Sequence, residues 1–249
     1  MKKSFLFFVL AHCLLLSSAF GQMAKIVDVK GTVLVKRDVA SSWKRARVDM
    51  YLKRQAEIKT RRNSECTVAF DEELSNILTI KENSHIKMQD LRPGNIYLPK
   101  GRVFSLIEDI AKLEKFEIRT PTAVAGVRGT GKTVEANRGG STVKCFEGRV
   151  YVEGLSKSGG STGREYLSGG FGIDAGPGGE LGDIFKLTYG DRGEWNAFRD
   201  RLDGLRGRPE QDDIIVDLQE ERREDLRDDF FEDFRKKIEL QYEKGGGSS

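Results

Sequence analysis

The sequence is poor in the residues on which most metal sites and many enzymes depend. Its 249 residues include two His, three Cys and five Pro. His12 lies in an apolar N-terminal run, so His85 is the one His in the remainder of the chain. A single His cannot form the usual multi-His metal site, and the chain lacks a Gly-x-Ser-x-Gly nucleophile elbow. We therefore expect no metal, no cofactor and no enzymatic activity.

The N terminus has the parts of a secretory signal peptide. Two lysines follow Met1, residues 5–16 are apolar apart from one His, and small residues precede a cleavage point at Gln22. The apolar run is shorter than the roughly 20 residues that cross a bilayer. We expect residues 1–21 to be removed, which gives a periplasmic or secreted product without a membrane span. An uncleaved anchor is the alternative.

Two cysteines, Cys66 and Cys145, remain after such a cleavage. An oxidising compartment permits one disulfide between them. Both also lie in the apolar phase of strand-like segments, where a cysteine can be a buried, unpaired thiol. The sequence leaves both interpretations open.

Residues 25–154 show the alternation of apolar and polar side chains that is typical of strands. Cys66–Phe70 and Phe116–Arg119 are clear examples, and turn residues recur every eight to twelve positions. This pattern predicts an all-β domain, either an antiparallel sandwich or roll or a short β-solenoid. Gly31, Gly101 and Gly148 each stand two residues before a Val, and we expect positive φ and a hairpin start at each.

The C-terminal part changes to helical periodicity. Trp195, Phe198, Leu202 and Leu205 recur at helical spacing, and Pro209 ends that helix. A second helix is predicted from about 214 to 244. Its apolar face could dock on the β-domain, contact a partner or mediate oligomer formation, and its residues are Leu226, Phe230, Phe234, Ile238 and Tyr242. We thus predict a β-domain over 22–180, a linker over 181–190, a charged helical region over 191–244 and a flexible tail over 245–249.

Charge is distributed unevenly along the chain. Residues 36–62 contain ten Lys or Arg against three Asp or Glu, whereas residues 191–249 contain eighteen acids and twelve bases. The basic stretch is compatible with solvated strand faces. It is also compatible with an anionic partner such as an acidic glycan or a membrane surface.

One motif suggests nucleotide binding. Residues 126–133 match the G-x-x-x-x-G-K-T pattern through Gly126, Gly131, Lys132 and Thr133. A phosphate-binding loop must open a helix, but Gly139-Gly140 follows shortly after and another alternating strand begins near Val143. Nucleotide binding is therefore kept as an alternative only.

The same stretch resembles the T-P-x-A-x-x-x-V-R-G-T signature of the FecR (ferric-citrate regulator) domain family. The residues that carry the signature, as structural or ligand-binding positions, are Thr120, Pro121, Val127, Arg128, Gly129 and Thr130. Gly31-Thr32-Val33 and the two later Gly-x-Val turns support the resemblance, which covers about residues 25–180. Lys132 departs from the pattern, since the family usually has an apolar or aromatic residue there.

The resemblance implies an exported domain that binds or senses a ligand and does not catalyse a reaction. Only four residues precede the apolar run, so we expect a standalone member without the cytoplasmic segment that contacts a sigma factor in classical members. The expected partner is an envelope protein or a glycan, and not nucleic acid. A purely structural envelope protein is a further alternative.

Overall fold

The computed structural model describes residues 24–91, 94–113 and 115–207. The chain forms two compact units, residues 1–202 and 203–249. In the second unit the described residues are 203–207, the last turn of a helix, in which the Gly207 N–H donates to the Asp203 carbonyl (3.1 Å). The predicted signal peptide and the predicted helical face, Leu226 to Tyr242, lie outside the described residues.

In the described part of the chain, fifteen strands form one hydrogen-bonded sheet that folds over on itself into two layers, so the predicted all-β roll or sandwich is confirmed. We call the layers sheet A and sheet B. The order of strands in sheet A is β3 (Lys44–Arg45), β2 (Val33–Lys36), β5 (Glu57–Thr60), β8 (His85–Leu91), the first half of β9 (Gly94–Ile107), β10 (Phe116–Arg119), the first half of β11 (Ala123–Asn137), the second half of β12 (Gly140–Leu155) and β13 (Ser161–Ser168).

Sheet B is completed by the other halves of the three long strands. Its order is β4 (Tyr51–Leu52), β1 (Ala24–Lys30), β6 (Glu65–Ala69), β7 (Asn76–Ile80), the second halves of β9 and β11, the first half of β12, β14 (Phe171–Ala175) and β15 (Phe185–Lys186). Neighbouring strands are antiparallel, except that β10 runs parallel to β9. The three long strands therefore belong to both layers.

Glycines mark the points at which the long strands pass between the layers. Gly101 in β9, Gly129 in β11 and Gly148 in β12 have φ of +99°, +70° and +73°. Positive φ is available to Gly at little cost, and it turns the strand out of one sheet. The predicted positive φ is confirmed at Gly31 (+74°), Gly101 and Gly148. The last two are bends inside continuous strands, however, and not the predicted hairpin turns.

The alternating apolar side chains meet between the sheets in one core. Ile58, Ile86 and Ile118 face inward from sheet A, whereas Ile26 and Val134 face inward from sheet B, and all are fully buried. Burying one such side chain stabilises the fold by about 1.5–3 kcal/mol. This core holds the two layers together and leaves each sheet one outer face.

Both cysteines lie in this core as free thiols, so the structure does not contain the disulfide. Cys66 is in β6 and Cys145 in β12, and β7, β9 and β11 separate them in sheet B. Four strand spacings amount to about 19 Å. A disulfide requires the two Cα atoms to lie within about 7 Å.

One α-helix, α1 (Tyr189–Arg206), is present in the described residues. Thr188 and Asp191 form its N-terminal cap. The Thr188 hydroxyl accepts from the Asp191 N–H (3.2 Å), and the Asp191 carboxylate accepts from the Thr188 N–H (2.8 Å). The segment predicted as a linker, 181–190, contains β15 and the start of α1. No helix in the described ranges is long and apolar enough to cross a membrane.

The part of α1 up to Leu202 packs on the outer face of sheet B. Trp195 stacks on Phe146, with ring centroids 4.7 Å apart, and also lies over Phe104 at 6.3 Å. Gly131 lies beneath the same indole, where an added Cβ would come within 2.2 Å of the ring. Trp195, Phe198 and Leu202 are buried, as their helical spacing predicts.

Ion pairs flank this aromatic contact at both ends. Asp191 pairs with Lys144 of β12 (2.6 Å). Burial alone would raise the pKa of Asp191, but hydrogen bonds from Lys144 and Thr188 lower that pKa to about 2. Towards the other end, Arg201 bridges Asp28 of β1 and Glu65 of β6. The helix therefore spans the width of sheet B and covers its outer face.

Candidate functional site

The first half of the family motif is a buried turn clamp. Thr120 is 1% exposed and connects β10 to β11. Its hydroxyl accepts from the Ala123 N–H (2.9 Å) and from the Ser141 hydroxyl (2.7 Å). The Ser141 hydroxyl is also 2.7 Å from that of Thr122. Together with the restricted backbone of Pro121, these bonds fix the entry into β11, so these residues act structurally.

The second half of the motif carries β11 from one sheet to the other. Val127 fills the core under sheet A, Gly129 makes the bend, and Thr130 is 3% exposed in the core under sheet B. Arg128 lies in β11 directly before the bend. The structure thus explains the motif as a strand crossover.

The structure contradicts the nucleotide-binding alternative. Residues 126–133, which include Gly126, Gly131, Lys132 and Thr133, lie within β11 and pair with β12 on one side and with β10 or β9 on the other. A phosphate-binding loop needs backbone N–H groups that converge on the ligand at a helix N-terminus. Here those groups belong to a β ladder, and another strand follows.

Lys132 lies in the core and not at a ligand site. Its side chain is fully buried, and Nζ donates to the Ala125 carbonyl (2.9 Å) and lies 5.2 Å from the centroid of the Phe116 ring. Burial lowers the pKa of Lys132 to about 7, although Glu117 favours its charged form. Ser105 lies opposite Lys132 in β9, and its hydroxyl has no partner among the described residues.

The outer face of sheet A, which we call the open face, differs from that of sheet B. The α-helix of the described residues packs on sheet B, and the outward side chains of sheet A are half-buried or exposed, apart from the backbone position Gly126. Direct strand pairing places eight of these residues in one row across eight strands. From β2 to β13 the row is Lys36, Glu57, Lys87, Tyr97, Arg119, Val124, Glu153 and Arg164.

A second row on the open face centres on Tyr151. Glu117, Gly126, Tyr151 and Tyr166 are paired in register across β10 to β13. The Tyr151 ring lies against Gly126, its hydroxyl bonds the Glu117 carboxylate, and the Arg164 guanidinium lies 5.1 Å from the ring centroid. The position of Tyr151 is therefore fixed, whereas Tyr166 on the edge strand is 60% exposed.

A groove of about 570 Å³ lies at this end of the open face. Its wall is largely apolar or aromatic, with two cations. The lining residues are Ile110, Ala111, Lys115, Gly126, Val127, Arg149, Tyr151 and Tyr166. A second hollow of about 920 Å³ includes Lys81 and Arg102. These two cations are already paired, with Glu65 and Glu194, and Lys100 and Arg138 also line that hollow.

Several carboxylates near the open face are engaged by neighbouring groups. The pairs are Glu57 with His85 (2.9 Å), Glu117 with Lys115 (2.6 Å), Asp90 with Arg54 (3.3 Å) and Glu153 with Arg164. The hydrogen bond from Arg164 lowers the pKa of Glu153. Asp90, Glu117 and Glu153, which pair with Lys or Arg, therefore contribute little net negative field at the surface, whereas Glu57 bonds a His that is charged only when protonated.

Several cations on the same face have no such partner. Lys36, Lys87, Arg119 and Arg149 make no side-chain hydrogen bond or ion pair with any part of the chain that the structure describes, although the charge of Arg119 helps to lower the pKa of Glu153. The open face is therefore electrostatically positive despite its mixed composition.

An aromatic residue also lies at the opposite end, next to β3. Trp43 is 37% exposed, with the Lys59 ammonium 4.1 Å from its ring centroid and the centroid of the His85 ring 6.3 Å away. Lys59 and Trp43 come from the basic stretch 36–62, so part of that stretch faces solvent here. His85 is half-buried beside Glu57, a placement that suits surface pairing.

Sequence reasoning missed the open face as a site. Tyr151 and Tyr166 were identifiable as strand residues, and their phase opposite Val150 and Leu167 indicates an outward direction. Which strands become neighbours depends on pairing between residues far apart in the chain. The sequence therefore indicates which polar and aromatic residues point outward, but it does not indicate which of them lie next to each other.

Comparisons with known proteins agree with the resemblance seen in the motif. Residues 56–151 match the family described as FecR protein, which confirms the predicted family over that segment. The segment runs from β5 to β12 and includes the crossovers at Gly101, Gly129 and Gly148. It therefore contains the strands that carry most of the open face.

Two crystal structures of a candidate anti-sigma factor from Parabacteroides distasonis are similar to this chain. Both are 16% identical and cover 56% of it, with TM-scores of 0.46 and 0.45. The matched region spans less than two thirds of those chains, 63% and 64%. No curated protein sequence matches the chain.

Proposed function

We propose that the protein is an exported, non-catalytic sensing or binding module that holds an envelope or extracellular ligand on the open face of sheet A. One observation carries the proposal. The outer face of sheet B is closed by α1 through stacked rings and ion pairs, whereas the open face presents exposed aromatic rings and cations that have no partner within the described ranges. Exposed aromatic and cationic groups on a rigid scaffold are typical of recognition surfaces.

The family match supports a regulatory or sensing role. A FecR-type segment covers β5 to β12, and the residues of its signature build the turn and the crossover that position β11. The outward residues of β11, Val124 and Gly126, lie in the middle of the open face. The signature residues thus hold β11, which carries part of the recognition surface, in position. Their own side chains are mainly structural.

Export is supported by the N-terminal sequence and is tested by fractionating the native cells and weighing the intact protein. We expect a periplasmic or secreted product that begins at Gln22. A cytoplasmic product that retains Met1 would contradict this part of the proposal.

Binding through the open face is tested with washed envelopes of the producing cells. A double charge reversal, Lys87→Glu with Arg119→Glu, should abolish retention of the purified chain on these envelopes. A matched reversal away from the face, Lys186→Glu with Arg138→Glu, changes the net charge equally at two exposed positions. Retention that falls equally in both double variants would show nonspecific charge attraction and would contradict the proposed surface.

A further inference from the structure

We infer that the ligand of the open face is a linear acidic glycan that lies across the strands of sheet A. The inference rests on the proposed function and names the chemical class of its ligand. It combines the spacing of the unpartnered cations with the aromatic residues between them.

The cations are spaced for a repeating anion. Lys36, Lys87 and Arg119 occupy one row, and one strand lies between each of them and the next, which makes two strand spacings. Two strand spacings correspond to about 10 Å. The three charges therefore form a track about 20 Å long, which exceeds the reach of one small anion.

Solvent screening favours a ligand with several charges. The Debye length is about 8 Å at physiological ionic strength, so cations about 10 Å apart act nearly independently on single ions. A glycan with acidic groups at similar intervals contacts all three cations at once. After the first contact has formed, the second and third are intramolecular. Glu117 and Glu153 oppose such a glycan little, because Lys115 and Arg164 already pair with them. Glu57, which bonds His85, lies between Lys36 and Lys87, so an acidic group of the glycan must contact these two lysines on either side of it.

One aromatic ring lies between two cations of the track, and two more lie near the ends of the open face. Tyr97 stands between Lys87 and Arg119 in the same row, and Tyr166 and Trp43 lie near the two ends of the face. Aromatic rings offer an apolar surface with a polar edge, which suits the C–H faces and hydroxyl groups of sugar rings. This combination favours a polysaccharide over a simple polyphosphate.

The groove beside Tyr166 can receive one end of the glycan. Its volume of about 570 Å³ lies within the range of small-ligand sites, about 300–1,000 Å³. Arg149 lines it without a partner in the described chain, and Tyr151 is held in place by Glu117 and Arg164. A preformed groove with one free guanidinium suits a sugar ring that carries a carboxylate.

The test uses the full chain and isothermal titration with oligogalacturonate, and with malto-oligosaccharide as the neutral control. We expect saturable binding of oligogalacturonate only, weakened by about an order of magnitude between 50 and 200 mM salt, as for other polyanions. Arg119→Gln and Tyr166→Ala should each weaken binding by about tenfold, which corresponds to one lost charged or stacking contact.

Matched controls lie away from the face. Arg138→Gln removes an exposed Arg, and Tyr189→Ala removes a Tyr that is 94% exposed at the start of α1. Both should bind oligogalacturonate like the unaltered chain. Binding that is unchanged in Arg119→Gln and Tyr166→Ala would overturn the inference.

Two further outcomes separate the inference from the proposed function. If oligogalacturonate does not bind but the open-face reversal still abolishes envelope retention, the glycan assignment fails and the proposed surface stands. If vesicles of phosphatidylglycerol and phosphatidylcholine bind instead, and Arg119→Gln weakens that binding, the ligand is a membrane surface and the inference is overturned.

Discussion

Gly126 and Tyr151 pack so closely that a Cβ on Gly126 would lie 2.2 Å from the Tyr151 ring. The two residues are directly paired across β11 and β12. The absence of a side chain at Gly126 leaves the space that the ring occupies, while Glu117 and Arg164 hold the ring from other sides. The shape of the groove on the open face therefore depends on a glycine within the family motif.

Replacing Gly126 by Ala should both destabilise the fold and displace Tyr151. Overpacking of this kind typically costs about 1–3 kcal/mol, and we expect a loss in that range in the free energy of unfolding. Urea denaturation measures the loss. Gly193→Ala is the control, because Gly193 lies in α1 with nothing within 4 Å of the added Cβ, and it should stabilise by about 0.5–1 kcal/mol. Equal midpoints for the two variants would refute the close packing.

Lys132→Met should stabilise the protein and flatten its dependence on pH. Burial lowers the pKa of Lys132 from 10.5 to about 7 in the folded state. Between these two values the unfolded chain binds more protons, so the free energy of unfolding rises with pH across that window. The cost of burying the charge is fully present below pH 7 and is on the order of 4–5 kcal/mol for this shift.

Urea denaturation at pH 6, 8 and 10 measures this effect. The Met variant should gain most stability at pH 6, where the cost of the buried charge is fully present. The net gain should be a few kcal/mol, less than that cost, because the variant also loses the hydrogen bond to the Ala125 carbonyl. Lys186→Met, at an exposed position, should follow the pH profile of the unaltered chain. Parallel profiles for Lys132→Met and the unaltered chain would show that Lys132 is not buried as charged lysine at pH 6.

Lys132 also shows where sequence reasoning reached its limit. Local patterns predicted the strands, the positive φ of Gly101 and Gly148 and the buried face of α1, because each depends on neighbouring residues. The G-x-x-x-x-G-K-T match is local too. The conformation of residues 126–133 is instead decided by pairing with β9, β10 and β12, which come from distant parts of the chain. Nonlocal pairing also assembles the open face, so its row from Lys36 to Arg164 could not be predicted.

Arg201→Met should loosen α1 from sheet B. Arg201 is about one third exposed and bridges Asp28 and Glu65, so its removal leaves Asp28 without this cation, while Lys81 still pairs with Glu65. After allowance for solvent screening, we expect a loss of about 2 kcal/mol, larger at low salt. Hydrogen exchange should be faster in the helix. Arg192→Met, at an exposed position of the same helix, should leave both quantities unchanged, and a matching loss there would contradict the bridging role.

Cys66 and Cys145 should behave as two inert thiols in the folded protein. Burial, together with Asp28 and Glu65, raises the pKa of Cys66, and burial raises that of Cys145 to about 11. Thiolate is the reactive form, so a disulfide-exchange reagent should label neither residue until the chain is unfolded in guanidinium chloride. Because three strands separate them in sheet B, the intact mass should not change on reduction. A native mass lower by two hydrogens would show a disulfide and would require β6 and β12 to be rearranged, since the paired register of sheet B holds them too far apart to bond.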